Sequence, residues 1–146
     1  MILFLDIDGV LHSQEGDSWE DLLCRLPLLH EILRACPQVE VVVSSDWKHS
    51  TPFPKLRRML SEGARDLSRR FIGVTPKVPP ARGQCRRSVE CRAWLEQNGR
   101  QGLPWLALDD RAAFFEPGDN LYQTDTLTGL TAADVPRIVA RLKGEA

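Results

Sequence analysis

Apolar residues along the chain follow two rhythms. Short runs recur at Ile2–Leu5, 39–43, Phe71–Val74, 105–108 and Leu121–Gln123, and the first four read as continuous apolar segments without polar alternation. Runs of that kind predict strands covered on both faces, the situation of a parallel sheet. Between them the spacing becomes helical. Pro27 stands at a first-turn position before Leu28, Leu29, Ile32 and Leu33, and Pro37 closes that segment. Thr51 and Pro52 open a second helix with Phe53, Leu56, Met59 and Leu60 on one face; Val89, Cys91, Trp94 and Leu95 mark the inner side of a third, which ends at Gly99. A last helix follows Thr131, capped by Thr131 if Pro136 is tolerated within it, or by Asp134 if it starts later. Strands alternating with helices predict a three-layer α/β fold over residues 1–146, with a central parallel sheet of about five strands. Right-handed crossovers then place helices on both faces.

The length of 146 residues fits one domain, and 42% apolar with 27% charged residues is the balance of a soluble protein. No apolar run approaches the ~20 residues of a membrane span. Met1 leads straight into a strand with Asp6 close behind, with no basic leader or signal core, so the expected address is the cytoplasm and no membrane partner is expected. Cys24, Cys36, Cys85 and Cys91 form no CxxC pair and have no matching histidine spacing, which reads as buried or spare thiols rather than a zinc site. The net charge of -1 conceals a segregation: residues 48–92 carry twelve bases against three acids, whereas the segments before and after are acidic. Such a stretch makes either ordinary solvated helix faces or a field that attracts a polyanion.

Ligands of an open parallel sheet bind beyond the carboxyl ends of its strands, so the residues that follow each apolar run are where chemistry is sought. Asp6 and Asp8 follow the first, Ser44, Ser45 and Asp46 the second, Asp109 and Asp110 the fourth. Side chains two apart on an extended chain share a face, and Gly9 lets the backbone turn away. A lone acid at a strand end is commonly a turn former or a cap, and Asp46 reads as a cap of the next helix in preference to a site residue. Two acid clusters, each directly behind a buried strand, are harder to explain that way. So many carboxylates in one pocket call for a counter-ion, and an oxygen-only donor set without a nearby histidine favours Mg²⁺ over zinc. His12 and His49 flank the expected mouth as incidental neighbours, Trp47 reads as packing or as a wall beside the pocket, and Asp125 as part of a turn or of an outer shell.

The segments LFLDIDGVL, VVVSSDW, a basic residue at Arg86 or Arg87 and LALDD resemble, in that order, the four motifs of the haloacid dehalogenase-like (HAD) superfamily of aspartate-nucleophile phosphohydrolases. With SSDWK, GVTP, RSVECRAWL and TDTLTGLT, the chain is similar over nearly its full length to the small HAD domains of bacterial Swiss-army-knife RNA-repair proteins. The resemblance implies a Rossmann-like fold and a two-step phosphoryl transfer. Asp6 would be the nucleophile and Asp8 the general acid and base. Mg²⁺ would be held by Asp6, the Asp8 backbone carbonyl and Asp109 or Asp110. Ser45, preferred to Ser44 for its spacing to Trp47, would hold a phosphoryl oxygen. Arg87, with Arg86 one residue away, would supply the positive charge that relatives take from lysine or arginine; an arginine contacts phosphate in bidentate fashion but donates no proton.

A separate cap domain closes over small substrates in much of that superfamily, and neither interval between strands has room for one. An open pocket suits the terminal phosphate of a large molecule, and the basic middle segment would border it. The expected activity is a Mg²⁺-dependent phosphatase acting on phosphomonoesters, with phosphorylated RNA or DNA ends or nucleotides as the substrate class. The alternatives are a catalytically silent metal-binding interaction module, which has no need of the second acid, a Mg²⁺-dependent nuclease, and a receiver domain. A receiver would place its acceptor aspartate after the third strand, where this chain has GVTPK.

Overall fold

The computed structural model describes residues 1–15, 18 and 20–145; the stretch 13–18, expected to be a loop, lies partly outside them at Gly16 and Asp17. In chain order the elements are β1 (Ile2–Leu5), α1 (Leu26–Ala35), β2 (Glu40–Val43), α2 (Phe53–Leu60), β3 (Phe71–Val74), α3 (Arg86–Gln97), β4 (Trp105–Asp109), β5 (Leu121–Gln123) and α4 (Asp134–Leu142). Every strand pairing is parallel, and the sheet order is β3-β2-β1-β4-β5. The architecture is therefore the expected α/β, Rossmann-like one. β2 begins at Glu40 rather than Val39, and β4 runs on into Asp109.

Two cores explain why the strands carry apolar residues on both faces. Leu3, Leu5, Val41, Val43, Leu106 and Leu108 meet α1, α2 and α4 through Leu29, Ile32, Leu33, Leu56, Leu60 and Ile138. Ile2, Phe4, Val42 and Ala107 point the other way, onto Cys91, Trp94 and Leu95 of α3. Phe4 lies edge-on to Trp94 and Trp105, with ring centroids 6.1 and 5.6 Å away. Three helices thus cover one face and α3 the other, each with its apolar side inward. Val89, expected among the inner residues of α3, is only partly buried; the inner positions of that first turn are taken by Arg87, Ser88 and Glu90.

The start of α4 differs from both expected caps. Ala133 occupies the cap position, and Asp134 reaches back to accept from the backbone N–H of Thr131 at 2.8 Å and from its hydroxyl at 3.0 Å. Pro136 is tolerated because the N–H groups of a helix's first turn have no intrahelical acceptor to lose.

Much of the positive charge of residues 48–92 is consumed by architecture. Arg70 donates to the carbonyls of Leu33, Cys36 and Val39, closing the end of α1 onto β2, and Arg57 donates to the Phe71 carbonyl at 3.0 Å. Arg65 pairs with Glu62 and Arg92 with Asp119. At the sheet's carboxyl edge Arg86 and Arg87 line a cavity, and Lys77 and Arg82 are exposed in the loop that follows β3.

Candidate active site

β2, β1 and β4 are neighbours in the sheet, so their carboxyl ends open side by side. A cavity of about 220 Å³ lies there, lined by Asp6, Asp8, Ser45, Asp46, Arg86, Arg87, Arg111 and Phe114, with Gln14 at its edge. Asp6, Asp109 and Asp110 are buried, and each offers a carboxylate oxygen within 4.8 Å of the others. Asp109 Oδ1 accepts the backbone N–H of Arg111 at 2.9 Å. Asp109 Oδ2 and both oxygens of Asp110 have no hydrogen-bond partner among the described residues. A buried carboxylate oxygen without a partner is costly, and carboxylates gathered this closely offer oxygen donors of the kind a hard cation takes.

The electrostatics agree. Burial first, and then the charge of Asp109, pushes the Asp6 carboxyl up to about 8; burial likewise raises Asp109 to about 6. Arg87 opposes this. Its side chain is buried, with Nε 3.7 Å from Asp109 Oδ2 and Nη1 3.3 Å from Asp46 and 3.4 Å from Glu90. Burial works against the guanidinium charge, yet Asp6, Asp46, Asp109 and Glu90 together raise its pKa above the usual arginine value. One guanidinium against three clustered carboxylates leaves a negative surplus that a divalent ion would neutralise.

Arg86 and Arg87, adjacent in the sequence, separate by one step of helical rotation. Arg87 turns in toward Asp6 and Asp109, whereas Arg86, more exposed, pairs with Asp46 at 3.1 Å and lies 4.7 Å from the centroid of the Phe114 ring. Ser45 and Ser44 separate likewise. Ser45 faces the cavity and caps the short turn Asp46–His49, accepting the Trp47 N–H at 3.2 Å, while the Ser44 hydroxyl is buried with no partner among the described residues. Asp46 is therefore not the cap: the turn begins at Asp46 itself, so the preceding serine takes that position and Asp46 is free to hold Arg86 and Arg87.

Asp8 lines the same cavity, but its carboxylate stands apart from the three-acid group, between His12 and Trp47. The His12 hydrogen bond, more than any other influence, holds it below the usual carboxylate range. From the sequence His12 reads as incidental and Trp47 as packing or a wall, neither as a partner of Asp8; the available signal was His12 four residues beyond Asp8 in a segment that turns at Gly9. Lys48 does not line the cavity; its side chain is buried against Glu90 and donates to Thr75 Oγ1 at 2.7 Å. Glu90 thus ties both Lys48 and Arg87. His49 stays at the surface, 3.5 Å from Asp46. Asp125 closes a turn, accepting from the Leu127 N–H at 2.8 Å. That turn rests on the first motif, since the Leu130 N–H donates to the Val10 carbonyl and the Thr124 hydroxyl to the Gly9 carbonyl.

No helix among the described residues is long and apolar enough to cross a membrane. Comparison with curated proteins found no match, and comparison with solved structures found none either. The family model described as the HAD domain in Swiss Army Knife RNA repair proteins matches residues 2–135, from β1 into α4, and so takes in the whole sheet and every side chain of the cavity. With its Rossmann-like sheet and acids gathered on one edge, the chain belongs to this family of HAD-like hydrolase domains.

Proposed function

We infer that the protein is a phosphatase that hydrolyses phosphomonoesters through an aspartyl-phosphate intermediate. The observation that carries this reading is the buried group of Asp6, Asp109 and Asp110 with Arg87 beside Asp109, of which Asp6 and Arg87 line an open cavity. An oxygen of Asp6 attacks phosphorus; the bond to the ester oxygen breaks, and that oxygen leaves with a proton from Asp8. Water then attacks the phosphoryl group on Asp6, gives its proton to Asp8, and inorganic phosphate departs with the Asp6 carboxylate restored. Arg87 and Ser45 bind and orient the phosphoryl oxygens, Arg87 alone bringing charge to them.

The oxygen donors fit Mg²⁺, which would be held by Asp6, the Asp8 backbone carbonyl and Asp109 or Asp110. When bound, it neutralises charge on the phosphoryl oxygens. Of the two adjacent acids, Asp110 has both oxygens free for a ligand, whereas Asp109 already spends one on Arg111. Binding and protonation compete for the same carboxylates. The raised pKa of Asp6 means the metal-free fold holds a proton there that the unfolded chain has lost above about 4, so metal-free stability falls as pH rises toward 8. Added Mg²⁺ displaces those protons. The melting temperature therefore increases with Mg²⁺, and the increase is larger at pH 8 than at pH 6, as calorimetry against an EDTA control would show.

The rim supports a substrate class. Arg111 and Arg86 lie 5.8 and 4.7 Å from the Phe114 ring centroid, so two cations and an aromatic border the mouth of the cavity. Cations for flanking phosphates beside a ring for a base suit a phosphorylated RNA or DNA end. The test is release of inorganic phosphate, with Mg²⁺, from 5′- and 3′-phosphorylated oligonucleotides and from an aryl phosphate. Cut strands without free phosphate would replace the reading with a nuclease. Arg111→Ala is expected to lower kcat/KM several-fold more for the oligonucleotide than for the aryl ester, and to flatten the salt dependence of oligonucleotide binding by about one unit of slope.

A further inference from the structure

The Asp8 carboxylate is gripped at both oxygens. His12 Nε2 lies 2.7 Å from Oδ1, and the Trp47 indole N–H donates to Oδ2 at 3.1 Å. The tautomer of His12 follows from its other side. The Leu23 backbone N–H donates to Nδ1 at 3.2 Å, so in the neutral ring Nδ1 is the acceptor and Nε2 carries the hydrogen that points at Asp8. Leu23 has φ +57, a conformation uncommon for a leucine, and this places its N–H against the imidazole. His12 is 6% exposed, and its ring lies 5.9 Å from that of Trp47. Three separate parts of the chain converge on one side chain: the turn after β1, the loop before α1 and the turn after β2.

The Asp8 side chain is 41% exposed and follows a strand end, and among the described residues His12 and Trp47 supply its side-chain hydrogen bonds. A proton donor must meet the leaving oxygen within hydrogen-bond reach, and misplacement by an ångström is costly in rate. We propose that His12 and Trp47 are positioning residues that aim the Asp8 carboxyl at the leaving-group oxygen of the substrate. Each carboxylate oxygen keeps a second lone pair, so Asp8 can carry its proton without breaking either bond. The proposal rests on the phosphatase reading given above.

It is tested by the identity of the leaving group. An aryl phosphate departs as a stabilised phenolate and needs little proton donation, whereas an alkyl phosphate depends on it. In His12→Asn the amide oxygen stands near the place of Nδ1, keeping an acceptor for Leu23 and removing the donor to Asp8. His12→Gln carries an amide nitrogen near the place of Nε2, and Trp47→Phe keeps an aromatic ring while giving up the five-membered ring and its N–H. The expected result is a kcat loss at least about tenfold greater on the alkyl than on the aryl ester for His12→Asn and Trp47→Phe, with KM little changed and His12→Gln recovering most of it. Equal losses on both esters, or no loss on either, would overturn the proposal. Should His12→Asn fail to fold, Trp47→Phe decides by the same comparison. A wild-type protein without Asp6-dependent release from any phosphate ester would instead overturn the phosphatase reading and this inference with it, a result seen before any variant is made.

Discussion

Asp6→Asn is expected to lose phosphate release by about four orders of magnitude or more while the metal-free protein becomes more stable at neutral and alkaline pH. Both effects come from one buried carboxyl. As nucleophile it has no substitute, because asparagine offers only a weakly nucleophilic amide oxygen. As a charge it is unfavourable: Asp6 is 7% exposed, and burial with Asp109 nearby raises its pKa to about 8. The folded pKa lies above the unfolded one, so between about pH 4 and pH 8 the wild-type fold progressively loses stability that an uncharged amide does not lose. The gain in melting temperature of the variant, measured in EDTA, should therefore be absent near pH 4 and grow toward pH 8, whereas added Mg²⁺ should stabilise the variant less than the wild type. Phosphate release that survives the substitution would remove Asp6 as nucleophile. Equal metal-free stability of the two proteins across the pH range would mean that the three acids do not share one charge-poor pocket.

Gly9→Ala is expected to cost about 2–4 kcal/mol of unfolding free energy and to remove the stabilisation by Mg²⁺. Gly9 has φ +77, and a methyl group there would stand 2.3 Å from Asp110 Oδ2 and 2.4 Å from its Cγ. The backbone has little room to yield: the Gly9 N–H donates to the His12 carbonyl at 3.0 Å, and the Gly9 carbonyl accepts the Thr124 hydroxyl at 2.6 Å. The Asp110 carboxylate would have to leave the group it forms with Asp6 and Asp109. Gly63→Ala is the control, since Gly63 has φ +81 and nothing within 4 Å of the added carbon. It carries only the backbone term, about 1–2 kcal/mol. Chemical denaturation of the two variants separates the steric contribution from the conformational one, and equal losses would contradict the close approach of Asp110 to Gly9.

Local pattern reveals which residues an element buries and what chemistry its ends carry, because both depend on residues a few positions apart. The apolar runs before Asp6, Ser44 and Asp109 are such signals, and so are the prolines that open α1 and α2. Some expectations failed at the ends of elements, as at the start of α4, where Ala133 rather than Thr131 or Asp134 holds the cap position. Asp46 lost the cap to Ser45 when the turn began one residue early, and Val89 gave up the inner face of α3 to Arg87 and Glu90. His12 and Trp47 were illegible for a different reason. A single histidine or tryptophan has no periodicity, and what each touches depends on where the chain returns after a long excursion.

By itself, then, the amino-acid sequence determined the α/β alternation, the acids waiting at the ends of the buried strands and the membership in the HAD family that those motifs carry. Only the tertiary structure decided that β2, β1 and β4 lie side by side and that Arg87 rather than Arg86 turns toward Asp6. It also decided that Asp8 is held by a histidine and an indole while three other carboxylates gather apart from it. The reason is that strand order and side-chain convergence are set by packing between residues far apart in the chain. The favourable burial of two apolar cores brings together charges that would not otherwise approach one another.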